Sequence, residues 1–558
     1  MRPYALLPLV ATSLLATPIP SATAQEAAGR AEPAEEVARD SGEGVEGEPS
    51  RPVPAMPERL LVDDRRLPPP PLHDDRMSVA IHGEYQLRFR AFRDFRLTPA
   101  IGEAGPVTSG RDHELVHWHR FRPAFYYRKN LVIAGEIDIP RGFVAGPTTR
   151  AITAARDDRQ EREPWLIQPR QLYLQYLTPI GMVKVGQQTS HWGMGILAND
   201  GDHPTVFGDY RRGSLVERLL FATRPAGEGS PFVVAAAGDV VFEDPTADLV
   251  EGDRAFQGVL ALRYEHPRAT IGAYGVVRHQ ERDAQNLPPG HLEHLTVGVA
   301  DLAASFNLPL DGGYFFGEAE AALIKGQTTF LRSVSQTQSG AKEQVQSFGG
   351  AAKLGFVLTA EDAGTIFGRL VVAAEYGYAS GDADPYDGTT RRFTFDQNHN
   401  VGLVLFDHLL ATKTARSATI AADPNLAARP APGLDLLPSE GAIFGASYLN
   451  PTAVIRPMSW LDLELGVVVA QTTADFVDPY RTAVDGSYVN FDGGSATNHD
   501  LGVELDAGIE VHYPLTNAFV ISGGAEGGLL FPGRAFDDAQ GTRLPNQYLL
   551  NSKLGVRY

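Results

Sequence analysis

From Ser78 to the end the chain repeats one pattern: an alternating apolar and polar stretch, a connector, then another such stretch. The last stretch is the plainest. Tyr548, Leu550, Leu554, Val556 and Tyr558 share one parity, broken only by Ser552, while Leu549, Asn551, Lys553, Gly555 and Arg557 share the other. Side chains of a strand alternate between two faces, so this segment predicts a strand with one greasy and one wet face. The same split recurs elsewhere. Val79, Ile81, Tyr85, Leu87 and Phe89 oppose His82, Glu84, Gln86, Arg88 and Arg90. Leu461, Leu463, Leu465, Val467 and Val469 oppose Asp462, Glu464 and Gly466, and Leu501, Val503, Leu505, Ile509 and Val511 oppose Glu504, Asp506 and Glu510.

The connectors alternate in length. Short ones lie near 128–130, 178–181, 225–230, 266–268, 307–313, 360–364, 456–458 and 514–516, with long ones between them, the longest at about 379–440. A barrel with one rim in the periplasm and the other outside produces such alternation. The fold expected is therefore all-β: a transmembrane antiparallel up-and-down barrel of about 18 strands, with about 16 as the neighbouring answer, an even number placing both ends of the strand set on one side. Charges facing lipid are costly, so the charged parity faces the lumen. Tyr127, Tyr176, Tyr264, Trp460, Tyr513, Phe519 and Phe531 fall near strand ends, where an interfacial girdle belongs. Pro123 marks a bulge or a displaced boundary.

Met1 to Ala24 reads as a signal peptide, with Arg2, the apolar Leu6 to Leu15 and the cleavage triplet Ala22-Thr23-Ala24. Residues 25–76 are rich in Ala, Glu and Pro and predict a disordered periplasmic leader. Residues 77–558 form the barrel.

Composition narrows the function. The formal net charge is −19 over 558 residues, which argues against nucleic acid as a partner. There is no cysteine, so disulfides and thiolate metal sites are excluded. Mean hydropathy is −0.17, unlike a helical membrane protein. The partners expected are the lipid bilayer, the outer-membrane assembly machinery, for which the terminal aromatic Tyr558 is the signal, and a hydrophilic solute.

Lumen charges segregate along the chain. Asp462, Glu464, Glu504, Asp506, Glu510 and Glu526 form an acidic set, and Arg88, Arg90, Arg120, Arg122, Arg128, Lys553 and Arg557 a basic one. On closure an acidic arc abuts a basic arc, and the transverse field of such arcs orients polar solutes in a water-filled pore. This predicts a porin-like channel. The alternative is a filled lumen, the arcs pairing as salt bridges, in a surface scaffold that binds a partner through its outer loops. In the long connector, Leu403, Phe406 and Leu410 recur at helical spacing and predict a helix folded over or into the pore, or a surface cap.

No Gly-x-Ser-x-Gly elbow or His-Glu-x-x-His is present, and no enzyme activity is expected. No cofactor is expected either, beyond calcium at Asp200 and Asp202 or at Asp382, Asp384 and Asp387, whose carboxylates are the oxygen ligands calcium takes. Neither segment completes a twelve-residue calcium loop, and Asp/Asn/Gly clusters are also turn formers.

Four stretches, QQTSHWGMGILANDGD (187–202), SGDADPYD (380–387), VGLVLFDHLLATKTARSA (401–418) and GVVVAQTTADFVDPYR (466–481), resemble an uncharacterised family of predicted outer-membrane proteins found mainly in myxobacteria. The resemblance implies a barrel and assigns no activity. Relatives carry a cysteine pair after the Ala-Asn-Asp-Gly segment that 203–209 lacks. A more distant likeness in architecture is to alginate-export porins.

Overall fold

The computed structural model describes residues 77–558 except 94, 98–106, 109–111, 129, 147–164, 209–212, 228, 284–291, 331–339, 360–368, 423–437 and 517–518. The expected signal peptide and leader lie outside the described residues, as does part of the long connector.

Eighteen antiparallel strands close on themselves. In chain order they are β1 Met77–Arg93, β2 His113–Tyr127, β3 Leu131–Ala145, β4 Leu166–Thr178, β5 Gly181–Gln188, β6 Leu215–Thr223, β7 Phe232–Asp244, β8 Arg254–His266 and β9 Ala269–Asp283. The second half is β10 Leu292–Leu310, β11 Gly313–Thr328, β12 Glu343–Thr359, β13 Arg369–Ala379, β14 Ala446–Met458, β15 Leu461–Thr472, β16 Asp500–Thr516, β17 Phe519–Pro532 and β18 Gln547–Arg557. Each pairs with its sequence neighbours, and β18 pairs with β1 from Glu84↔Arg557 to Arg93↔Tyr548, which seals the cylinder.

The parity prediction holds on the outside. Val79, Ile81, Leu465, Leu505, Ile509 and Leu554 are exposed, while Glu84, Arg88, Asp462, Glu464, Glu504 and Asp506 on the other parity are buried within the barrel. Large apolar side chains stand outward all round the ring, and Tyr127, Tyr176, Tyr264, Trp460, Tyr513 and Phe519 stand outward by the short turns. A closed sheet satisfies every ladder hydrogen bond internally, which a membrane interior demands. Among the described residues no helix is long and apolar enough to cross a membrane. This is a membrane-spanning barrel of the outer-membrane type.

Three local departures have physical causes. Leu501 is buried rather than outward: β16 opens with a register shift against β15, and Gly502 at φ 111° turns the chain so that the parity slips by one. Pro123 sits inside β2, paired in register with Ile81, rather than at a boundary. Arg128 lies in the β2–β3 turn at φ 53°, its guanidinium over the Tyr127 ring, and not on the lumen wall.

Strands and connectors share the apolar core about equally. Ile196, Leu197, Phe393, Phe395, Val404 and Leu405 are almost wholly buried, and all belong to the segments after β5 and β13. The predicted helix is present: Leu405–Leu410 is wound as a π-helix and continues as α1, Ala411–Ala422. A second short helix, α2, Pro479–Asp485, follows β15.

Candidate functional site

The connector between β5 and β6 crosses the barrel. At one end Asp202 takes the guanidiniums of Arg120 and Arg122 on β2 and of Arg170 on β4. At the other end the Trp192 ring stacks on Tyr274 of β9 at 5.1 Å, and its Nε1 donates to Asp301 of β10 at 3.0 Å. The Ile196 amide donates to Glu320 of β11. In a ring of eighteen, β2 and β11 are opposite staves, so one connector spans a diameter.

Glycines on the inward parity make room for it. A Cβ at Gly272 would lie 2.5 Å from Trp192, and one at Gly466 would lie 2.5 Å from Phe207. The same device seats the longer connector, where a Cβ at Gly349 would lie 2.5 Å from Phe393 and one at Gly528 2.6 Å from Val404. Close approach of an aromatic ring to backbone is what glycine permits.

That longer connector, 380–445, follows the inner wall. His399 bonds Glu375 of β13 at 2.9 Å, and Tyr448 of β14 donates to the same carboxylate at 2.6 Å. The amides of Leu403, Val404 and Leu405 all donate to the Glu504 carboxylate on β16. A carboxylate against unpaired amides at the start of a helix is favoured by hydrogen bonding and by the helix dipole. The His408 ring then meets Phe92 of β1 at 5.1 Å.

The two connectors touch in the lumen. The Asp396 amide donates to the Ile196 carbonyl at 2.7 Å, Thr205 Oγ1 to the Asn400 carbonyl at 2.7 Å, and His399 Nδ1 lies 3.0 Å from the Met194 carbonyl. The Asp396 carboxyl is wholly buried, held by the amide and side chain of Asn398 and the amide of Asn199. Burial raises it, and with Asp200 nearby it reaches about 7 despite those donors.

The predicted basic residues are paired. Arg120 is fully buried beside Asp138 at 2.8 Å, Arg122 bonds Glu136 at 2.7 Å, and Arg90 bonds Glu114 at 3.0 Å. Arg88 donates to Gln86, and Arg557 pairs with Glu84 at 3.3 Å. Lys553 reaches Glu526 at 2.5 Å, Asp462 pairs with Arg456 at 3.0 Å, and Glu510 lies 3.4 Å from His512. Glu464, Glu504 and Asp506 lie together on β15 and β16.

The aspartates expected at calcium are placed otherwise. Burial raises the Asp202 carboxyl, but the three guanidiniums overcome this and hold it far below the usual carboxylate range. Asp382, Asp384 and Asp387 each accept an amide two residues on, as turn formers do, and Asp387 also pairs with Arg391 at 2.7 Å. Among the described residues, two groups bring three His or carboxylate ligand atoms within 4.8 Å of one another, and only Asp200 of the five aspartates belongs to either. It sits with His191 and His203.

No family model matches the chain, and no curated protein does. Solved structures are similar in overall shape. OccAB1 of Acinetobacter baumannii aligns at 10% identity and TM-score 0.45 over 86% of this chain and 96% of its own. OccK8 (OprE) of Pseudomonas aeruginosa aligns at 8% and 0.43 over 86% and 98%, and the outer membrane protein OprD of the same organism at 10% and 0.43 over 86% and 94%. At these scores the superposition is loose, and the fold rests on the strand pairing above. No similarity found bears on the myxobacterial resemblance or on alginate-export porins.

Proposed function

We propose that this protein is an outer-membrane channel for hydrophilic solutes whose bore is narrowed by two inward-folded connectors. The observation that carries the reading is that both connectors fold inward and meet within the barrel, with hydrogen bonds at Asp396–Ile196, Thr205–Asn400 and His399–Met194. An eighteen-stranded cylinder is wide enough for an aqueous lumen. Strand side chains do not fill it unaided, and here connector residues occupy the interior.

In this reading the lumen is lined by Asp462, Glu464, Glu504, Asp506, Glu510 and Glu526 on one arc and by Arg88, Arg90, Arg120, Arg122, Lys553 and Arg557 on the adjoining one. Glu136, Asp138 and Asp202 neutralise the buried part of the basic arc. The carboxylates of β15 and β16 have fewer cations near them, so the bore favours cations. The second reading, a filled scaffold, draws support from the buried Lys353–Glu375–His399–Tyr448 network that pins the long connector.

Planar-bilayer recording separates the two. Discrete conductance steps with a cation preference that Glu504→Gln reduces support the channel. Silence, both in the wild type and after deletion of 380–445, sinks it.

A further inference from the structure

In the lumen-spanning connector, two histidines and an aspartate converge where no other function uses all three. The His191 and His203 rings stack at 4.0 Å between centroids, tilted by 29°. Asp200 Oδ1 lies 2.8 Å from His203 Nδ1 and 3.8 Å from His191 Nδ1. These atoms all fall within 4.8 Å of one another. We propose that His191, Asp200 and His203 form a binding site for a divalent transition-metal ion of the zinc class.

The geometry suits it. Bonds of about 2.0–2.2 Å in a tetrahedral shell separate neighbouring ligand atoms by about 3.4 Å. The distances of 2.8 and 3.8 Å bracket that value, so rotamer adjustments of a few tenths of an ångström suffice. Two imidazoles and one carboxylate select zinc, copper, nickel or iron over calcium and magnesium, which want oxygen alone. His191 Nδ1 is buried and has no hydrogen-bond partner among the described residues. A buried polar atom in that state calls for a reason, and a bound ion is one. The His203 side chain is 39% exposed, which leaves an approach for the ion and an open coordination position for water.

The surroundings hold the ligands in place. Arg170 Nη2 donates to the Asp200 carbonyl at 2.5 Å, and the Asp202 amide donates to Asp200 Oδ1 at 2.9 Å. Gly213, at φ 70°, presses on the Asp200 backbone, where a Cβ would meet the carbonyl oxygen at 2.2 Å. Gly195, at φ 75°, turns the chain against the His191 ring. Such supporting contacts fix ligand orientation in metal sites. The site stands whether or not the barrel conducts.

The test uses the full chain folded in detergent, without a histidine tag, and with His279→Ala and His294→Ala to remove the exposed His279–Glu281–His294 group at the outer rim. Cobalt(II) is the probe. The expected result is one ion per chain with visible ligand-field absorption, displaced by zinc and not by excess calcium. His191→Ala and His203→Ala each weaken binding by at least about tenfold. The heat-modifiable shift on electrophoresis reports barrel integrity, and His203→Gln serves if an alanine variant does not fold. Absence of cobalt binding in the folded parent, or undiminished binding in the folded variants, overturns the site.

Discussion

The Tyr558 ring lies in a notch over Gly83 at the seam where β18 meets β1. The two residues exchange backbone hydrogen bonds, at 2.9 Å from the Gly83 amide and 3.0 Å from the Tyr558 amide. A Cβ at Gly83 would come within 2.5 Å of the phenol ring. His119 of β2 lies 2.8 Å from the phenol oxygen, and Phe519 stacks beside the ring at 6.1 Å. The terminal aromatic thus touches β1, β2 and β17 together. Gly83→Val is expected to displace the ring and cost about 1–3 kcal/mol, as overpacking does. Denaturant unfolding of the lipid-refolded barrel measures it. Tyr558→Ala with Gly83 intact is expected to lower the yield of folded barrel in cells, because the ring's contacts with β2 and β17 are lost.

Asp202 is the anchor of the lumen-spanning connector, and three guanidiniums depend on it. Asp202→Ala leaves Arg120 and Arg170 buried with one counter-charge fewer. Breaking a buried pair costs about 3–5 kcal/mol, and the 20% exposure of this carboxylate places the effect at the low end. The expected readouts are a lower unfolding midpoint and larger, noisier conductance steps. An unchanged single-channel record with a destabilised barrel would separate the anchor from gating.

Asp396 makes the contact between the connectors pH-dependent. Its buried carboxyl titrates at about 7, above its ordinary value of 3.8. The protonated form is therefore favoured by the closed arrangement. The stabilisation is fully present below the ordinary value and is lost as pH rises through about 7. Open probability is expected to rise from about pH 4 to about pH 7 and to level off above it, as measured in bilayers. Asp396→Asn keeps the shape without the charge and is expected to flatten that profile.

Glu504 accepts three successive amides with two oxygens. Glu504→Gln leaves one acceptor oxygen and turns an NH2 toward a donor. Hydrogen bonds to a charged group are worth about 1.5–3 kcal/mol each, so the start of the helix loosens from the wall. Faster amide exchange at 403–405, with strand protection unchanged, is the expected signature.

Most of the barrel is legible in the sequence because lipid enforces a two-residue period on every strand. The connectors fall where the period breaks, and their lengths sort by rim. Leu501 escapes that reading because Gly502 shifts the parity inside one strand. What crosses the lumen escapes it more fully. Trp192, Phe207 and Phe393 look like ordinary loop aromatics, and their partners Tyr274, Gly466 and Gly349 lie far off in sequence or on strands already assigned a wet face. A signal was present, since Gly272, Gly349, Gly466 and Gly528 all occupy the inward parity opposite apolar side chains. Asp200 and Asp202 were legible only as oxygen donors. Asp200 meets two histidines of its own connector, whereas Asp202 lies beneath three guanidiniums from strands β2 and β4 that do not flank it.

The connector tied to β2 and β11 acts as a crossbeam fastened to opposite staves of a cask. The hoop of eighteen staves sets only an outer limit on the opening. In the proposed channel the usable passage is whatever the beam leaves beside it, so replacing side chains on that single segment is expected to retune the aperture without altering one strand of the wall.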